Sequence, residues 1–379
     1  MKKVVFLTGT RADYGKMKTL VQQVEDNNDF EAHIFVTGMH MLSTYGSTYH
    51  EVERDGFENI YKYINQQLGA GMDITLSNTI LGFSNYVSET KPDIIIIHGD
   101  RLEALAGAIV GAFNNIKVLH IEGGEVSGTI DESIRHAVTK LSHLHLVSNK
   151  EAEQRVLQLG EPKDSIYIIG SPDVDVMFSS TLPSINKAMD RYDIPFSEYA
   201  IFMYHPVTTE LEKLREDIKS VIQSLLESEK NYIIVYPNND EGTSVILDEI
   251  KNLENNEKFK VFPSIRFEYF LTFLKNAKFI IGNSSAGVRE SGVYQVPAID
   301  IGSRQKGRYQ QLNSNHIINV EAEAKNILEA IKYVENMQVE TNVFYGEGNS
   351  AELFIEVLEK ENIWSKPSQK SFQDINFSL

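Results

Sequence analysis

Chemistry-bearing residues in this chain gather just after short apolar runs. After the run Ile94–Ile97 comes His98-Gly99-Asp100-Arg101, and after Val118–Ile121 comes Glu122-Gly123-Gly124-Glu125. Asp131 follows nine residues after Glu122, with Arg135 one helical turn later on the same face. Several carboxylates collected at one place suit the removal of a weakly acidic proton and its redelivery. Alone, Asp131 and Arg135 would read as a surface helix pair. Three carboxylates at adjacent strand ends favour a functional reading.

Other strings suit an anionic ligand. Thr8-Gly9-Thr10-Arg11-Ala12-Asp13-Tyr14-Gly15-Lys16 puts two cations around a helix start, whose exposed N–H groups attract anions. A capped turn with surface cations is the plain alternative. Met203-Tyr204-His205-Pro206 and Tyr236-Pro237-Asn238-Asn239-Asp240 each follow a strand-like run. A packed histidine and a Pro-Asn turn would account for them as well. Gly282-Asn283-Ser284-Ser285-Ala286-Gly287-Val288-Arg289-Glu290 offers glycine, two hydroxyls and a helix start, the parts of a phosphate cradle, with Glu290 placed to meet ribose hydroxyls. An ordinary serine cap explains one of these residues but not the string. Gly302-Ser303-Arg304-Gln305-Lys306-Gly307-Arg308 adds three cations in a glycine-containing loop, suited to a diphosphate leaving group. None of these strings is a Walker loop or a dinucleotide fingerprint. No histidine pair has zinc-ligand spacing near a third ligand, and His143 and His145 read as structural.

The elements that must position these residues alternate. Strand-like runs at Val4–Leu7, His33–Val36, Ile94–Ile97, Val118–Ile121, His145–Val147 and Ile166–Ile169 are separated by helical stretches. Those stretches lie near Lys16–Glu25, Ile74–Glu89, Leu102–Phe113, Glu132–Leu141 and Glu151–Leu159. The same grammar resumes with strands at Ala200–Met203, Ile233–Val235, Lys260–Phe262, Phe279–Ile281 and Ala298–Ile301. Continuous apolar runs indicate strands covered on both faces, hence parallel sheets, and right-handed crossovers make them doubly wound. The expected class is α/β with two such domains facing a cleft. Residues 1–172 form the first domain and 173–183 a linker; residues 184–350 form the second and 351–379 a final helix and tail.

Composition excludes whole classes of partner. The chain has 379 residues, 36 Lys+Arg against 53 Asp+Glu, a net charge of −17, and no cysteine. Such an acidic protein is repelled by nucleic acid and by anionic membranes. There can be no disulfide or thiolate metal site. No apolar run approaches the ~20 residues needed to span a bilayer, nor a secretory leader, so a cytoplasmic location is expected. Yet Lys260 to Gln310 holds eight basic and three acidic residues, a net of +5, leaving −22 for the rest. A cationic window therefore lies on the strands and loops where a diphosphate would sit.

Taken in order, Gly9-Thr10-Arg11-Ala12-Asp13, His98-Gly99-Asp100-Arg101, Glu122-Gly123-Gly124-Glu125, Asp131-Glu132-Ser133-Ile134-Arg135-His136, Gly170-Ser171-Pro172, His205-Pro206 and Gly282 through Glu290 resemble the motifs of a known family. It is that of the hydrolysing UDP-N-acetylglucosamine 2-epimerases of bacterial sialic acid and capsule synthesis, and the resemblance spans nearly the whole chain. It implies the GT-B fold, with two Rossmann-like domains and a final helix crossing back to the first. It implies conversion of UDP-N-acetylglucosamine and water to N-acetylmannosamine and UDP, through elimination to bound 2-acetamidoglucal and hydration, with no cofactor and no metal. The family's essential acids match Asp100, Glu122 and Asp131. Its nucleotide ligands match Arg11, Arg101, His205, Asn238, Ser284, Ser285, Glu290 and Arg304, and further motif positions match Lys16, His40 and Arg135. A homodimer or homotetramer is implied as well.

The short stretch from Glu122 to Asp131, and Ala12-Asp13 where the non-hydrolysing branch typically has Pro-Glu, place the chain with the hydrolysing branch. The alternatives are the same chemistry on a UDP-2,4-diacetamido-trideoxy sugar of the legionaminic acid route, a GT-B glycosyltransferase, and a non-catalytic sugar-nucleotide binder. Against the binder, three acids would repel a diphosphate sugar unless they had chemistry to perform.

Overall fold

A computed structural model of the chain describes residues 1–127, 130–238, 240–308 and 315–374. Asn239, Gln310 and the end of the C-terminal tail lie outside that range. The chain divides into two compact units. One gathers Met1–Val126, Ile130–Phe178 and the described residues from Phe344 onward; the other comprises essentially Ser179–Val343.

The first unit holds a seven-stranded parallel sheet. Its strands are β1 (Lys2–Thr8), β2 (Phe30–Val36), β3 (Asn59–Lys62), β4 (Ile94–His98), β5 (Lys117–Ile121), β6 (Leu144–Val147) and β7 (Ile166–Ile168). Their order is β3-β2-β1-β4-β5-β6-β7, with Val4 opposite Ile94 in register. Alternate residues face opposite helical layers. Val5, Leu7, Ile95 and Ile97 pack with Phe83, Ala104, Ala108 and Val138. Val4, Phe6, Ile94 and Ile96 pack with Met17, Leu20, Val24 and Phe354. Both faces are covered, which is why the strands read as unbroken apolar runs.

Phe354 belongs to the helix Ser350–Glu359, which buries Ala351, Phe354, Val357 and Leu358 at helical spacing. Its ring lies 6.2 Å from that of Phe6. Burying one such side chain contributes about 1.5–3 kcal/mol, enough to hold this late segment on the first sheet.

The second unit holds six parallel strands: β8 (Ala200–Met203), β9 (Tyr232–Val235), β10 (Phe259–Phe262), β11 (Ile280–Gly282), β12 (Ala298–Ile301) and β13 (Ile317–Val320). Their order is β10-β9-β8-β11-β12-β13. In each sheet the winding reverses once, between β1 and β4 and between β8 and β11. Ligands of doubly wound sheets bind beyond the strand ends at such reversals.

Three local features depart from the sequence reading. The edge strands β3 and β13 are half exposed and lack the apolar run that marks a strand covered on both sides. The first helix begins at Arg11, not near Lys16, because Thr10 and Asp13 form a capping box that satisfies the first free N–H groups. Where a linker was expected, Pro172–Phe178 is a short helix with Asp173, Val174, Val176 and Met177 buried, grouped with the first unit. Seven residues are too few to show a helical period in sequence.

Candidate active site

In the first unit, β4 ends at His98 and the chain turns through Gly99, at φ +75°, to place Asp100 ahead of the helix Leu102–Phe113. Next door, β5 ends at Ile121 and Glu122 takes φ +61°, a left-handed conformation for a residue with a side chain. Such strain costs about 1–3 kcal/mol and collects at working sites. The Glu122 N–H donates to the Leu146 carbonyl at 2.8 Å, which holds the turn.

Arg135 joins these two strand ends. It lies on the helix Ile130–Leu141, almost wholly buried, and its two terminal nitrogens donate to the Asp100 carboxylate and to the Glu122 carbonyl. Glu122 is buried, and one carboxylate oxygen accepts from the Ser171 hydroxyl. His98 Nε2 lies 3.3 Å from the other oxygen, without the alignment of a hydrogen bond. Asp131 stands one turn before Arg135, half buried. Asp100 and Glu122 are therefore both tied to Arg135, but in different settings. One is paired with a guanidinium; the other is enclosed beside a hydroxyl and an imidazole. Carboxyl groups in unlike settings can divide the roles of base and acid.

The cations expected to meet the ligand from this unit are each engaged by a carboxylate. Arg11 pairs with Glu51, and Lys16 with the buried Asp173 at 2.9 Å. Arg101 Nε donates to Glu103 at 3.2 Å. Lys16 thus ties the first helix to Pro172–Phe178, a bracing role in place of the expected open cation. His40 is corrected further. It is fully buried, with Nε2 3.1 Å from the Thr8 hydroxyl and Nδ1 2.7 Å from that of Thr48. Burial lowers its pKa to about 4, so it is a neutral brace inside the first unit and reaches no ligand in this geometry.

In the second unit, Asn283 organises the strand ends. Its Oδ1 accepts from the His205 N–H at 2.6 Å, and its Nδ2 donates to the His205 carbonyl at 2.8 Å. Its own carbonyl accepts from Arg304 at 3.1 Å and Gln305 at 2.8 Å. His205 Nδ1 accepts from the Asn238 N–H at 3.1 Å, which puts the ring proton on Nε2. Burial, and then the charge of Arg304, push the pKa of His205 far down, so the ring is a neutral donor. Ser284 caps a single 3-10 turn, Ser285–Gly287, and both serines are half exposed. Glu290, buried, begins a helix of only four residues, Glu290–Val293. The expected helix start is therefore little more than a turn, with a correspondingly small dipole. The groups here able to hold an anion are loop N–H groups, the two serine hydroxyls and Arg304. Gly282, at φ +133°, makes the turn possible, since a Cβ there would sit 1.9 Å from the Met203 carbonyl oxygen.

Sequence reading brings together His205, Asn238, Ser284, Ser285, Glu290 and Arg304 in one unit, and Asp100, Glu122, Asp131 and Arg135 in the other. It assigns no role to Ser171, His98, Asp173, Glu103 or Asn283. Glu103 carried a signal, an acid in the first helical turn two residues from Arg101. Asn283 and Ser171 carried only their places after strands. Among the described residues, no three of His, Asp and Glu are grouped to hold a metal ion, and no helix is long and apolar enough to cross a membrane.

Comparison with known proteins adds to this geometry. The family model described as UDP-N-acetylglucosamine 2-epimerase matches residues 22–359. The chain belongs to the UDP-N-acetylglucosamine 2-epimerase family. It is 48% identical over 380 residues to a UDP-N-acetylglucosamine 2-epimerase of Neisseria meningitidis serogroup B, covering 99% of this chain and 100% of that protein. It is 31% identical to the hydrolysing UDP-N,N'-diacetylbacillosamine 2-epimerase of Legionella pneumophila, covering 95% and 96%. Among solved structures, the UDP-GlcNAc 2-epimerase of Methanocaldococcus jannaschii in complex with UDP-GlcNAc and UDP superposes with a TM-score of 0.78 at 21% identity, over 94% of this chain and 99% of that one. That likeness shows the fold, two Rossmann-like parallel-sheet domains of the GT-B kind.

Proposed function

We propose that the chain is a hydrolysing 2-epimerase that converts UDP-N-acetylglucosamine and water to N-acetylmannosamine and UDP. The observation that carries this reading is the pair of acids at adjacent strand ends in a chain of this family: the buried Arg135 holds the Asp100 carboxylate and the Glu122 backbone carbonyl, which sets the two acids side by side. A carboxylate takes the C2 proton. The C1–oxygen bond to the diphosphate breaks, and its electron pair leaves with UDP. A C1–C2 double bond remains, giving 2-acetamidoglucal. Water then adds its hydroxyl at C1, its other proton passing to a carboxylate, and a carboxylic acid returns a proton to C2 from the opposite face. The balance needs no oxidant or reductant.

In this reading Asp100, Glu122 and Asp131 share the proton transfers, held accurately because the C2 hydrogen is weakly acidic. Ser284, Ser285, Arg304 and the neutral Nε2–H of His205 bind the diphosphate, where negative charge grows as UDP departs. Glu290 and Asn238 hold the nucleoside. Arg11 and Arg101 stand on the nucleotide side of the first unit with their charge balanced by Glu51 and Glu103, and Lys16 braces the first helix through Asp173.

The diacetamido sugar of the Legionella relative is the second reading. The higher identity to the Neisseria protein supports the N-acetylglucosamine substrate over it.

Proton NMR of the protein with UDP-N-acetylglucosamine in deuterated water tests the proposal. The expected products are UDP and N-acetylmannosamine carrying deuterium at C2, with no acceptor added. A retained C2 proton would sink the elimination route. Turnover only with an added acceptor would favour a transferase, and turnover only of the 4-acetamido sugar would favour the second reading.

A further inference from the structure

His120 lies on β5, two residues before Glu122, with no exposed surface. It cannot touch a substrate, yet both its ring nitrogens are engaged. Nε2 is 2.8 Å from the Gly99 carbonyl oxygen, and Nδ1 is 3.2 Å from the Thr139 hydroxyl. A carbonyl only accepts, so Nε2 carries the proton; Nδ1 then accepts from Thr139. The ring fits closely against the next turn. A Cβ on Gly123 would stand 3.0 Å from Nδ1 and 3.2 Å from the Thr139 hydroxyl.

Thr139 sits on the same helix as Asp131 and Arg135, at four-residue spacing, so the three share one face. That helix grips the Gly99–Asp100 turn twice. Arg135 holds the Asp100 carboxylate directly, and Thr139 holds the preceding carbonyl through His120. One grip on a carboxylate fixes a point. A second on the adjacent peptide also fixes the orientation of the turn, which at Gly99 has no side chain to restrain it.

We propose that His120 and Thr139 are positioning residues for Asp100, a relay that locks the turn carrying this carboxylate onto the helix that carries Asp131 and Arg135. The proposal rests on the reading that Asp100 takes part in the proton chemistry. Burial, foremost, lowers the His120 pKa to about 3, so the relay stays neutral through the working range and does not act as a switch.

The test is steady-state kinetics of the full chain with UDP-N-acetylglucosamine, alongside UDP affinity by calorimetry and folding by circular dichroism. His120→Phe keeps a ring and loses both bonds. A misplacement near 1 Å can cost about 100-fold in rate. The expected result is a kcat about 10- to 100-fold lower, with KM and UDP affinity within about twofold of wild type. Thr139→Val should lower kcat about 3- to 10-fold, and the double variant should be no slower than His120→Phe alone, as members of one relay are not additive. His120→Gln, which can present an amide N–H toward Gly99, should recover part of the rate. Thr139→Val, nearly isosteric, carries the test if His120→Phe does not fold. A folded His120→Phe or Thr139→Val with wild-type kcat would overturn the relay, as would losses confined to KM. If wild type itself fails to turn over, the functional reading falls and the positioning role falls with it; if wild type turns over and the folded variants match it, the relay alone is lost.

Discussion

Replacing Asn283 by alanine should loosen the second unit's strand ends by a predictable amount. The Asn283 side chain is 1% exposed and makes two short bonds, 2.6 and 2.8 Å, to the N–H and carbonyl of His205, itself 5% exposed. Alanine leaves both backbone groups buried and unpaired. Each unmade bond of this kind costs about 1–3 kcal/mol, so the expected loss for two is about 2–6 kcal/mol, toward the lower end if water enters the space. That is within the usual 5–15 kcal/mol of a domain, so the variant should fold. UDP affinity should fall as well, because His205 and Arg304 both rest on Asn283, by about tenfold for each 1.4 kcal/mol of the loss that binding must restore.

Asn283→Asp sharpens the test. It keeps the acceptor facing the His205 N–H but sets a carboxylate oxygen against the His205 carbonyl. Only the protonated acid could replace the lost donor, so its folded pKa is raised. The penalty therefore grows as pH rises from the ordinary aspartate value near 3.9 toward the raised value. Urea unfolding should be followed by circular dichroism, because the single tryptophan, Trp364, lies in the first unit and reports only on that one. Calorimetry supplies the UDP affinity. An alanine variant with wild-type midpoint and affinity, or alanine and aspartate variants that match at every pH, would refute the reasoning.

Asp100→Asn and Asp131→Asn should lower turnover by about 10²–10⁴-fold with UDP affinity within a few-fold; a large loss of UDP binding would mark them as structural instead. Gly282→Ala should cost more than about 3 kcal/mol and abolish UDP binding, since its Cβ would overlap the Met203 carbonyl oxygen at 1.9 Å; a variant with normal stability would show the β8–β11 contact to be looser than described. Acid should destabilise the chain in two windows, readable as a falling urea midpoint. His40 and His120 have pKa values lowered by burial to about 4 and about 3, so the stability they contribute is present above about 6.5 and is lost as pH falls through their folded values, at up to about 1.4 kcal/mol per pH unit for each. Glu161 is held at about 2, its burial opposed by His145, Lys140 and Lys370, and its contribution is lost between about 4.3 and 2. A flat profile from pH 7 to 4.5 would contradict the buried-neutral histidines.

Much of the fold was legible in the chain. Strands such as Ile94–Ile97 are covered on both faces, so they announce themselves as unbroken apolar runs, and the helix Leu102–Phe113 follows the range its periodicity predicts. Edge strands β3 and β13 escaped because half-exposed residues need not be apolar. The short helix at Pro172–Phe178 escaped because two turns carry no period, and the helix expected to open near Glu290 is only four residues long.

Around the site the division is one of range. Glycines at turns, hydroxyls before a helical turn and acids after strands are local requirements, so the chain itself displays them in order, and with them its membership of a family. Whether a given side chain is open or engaged depends on residues far away in sequence. Ser171 reaches Glu122 across 49 positions, Lys16 reaches Asp173 across 157, and Asn283 reaches His205 across 78. Only the packed sheets bring these partners within 3 Å. They turn His40 from an expected ligand into an internal brace, and they give His120, which local sequence marks as an ordinary strand residue, its hold on Asp100.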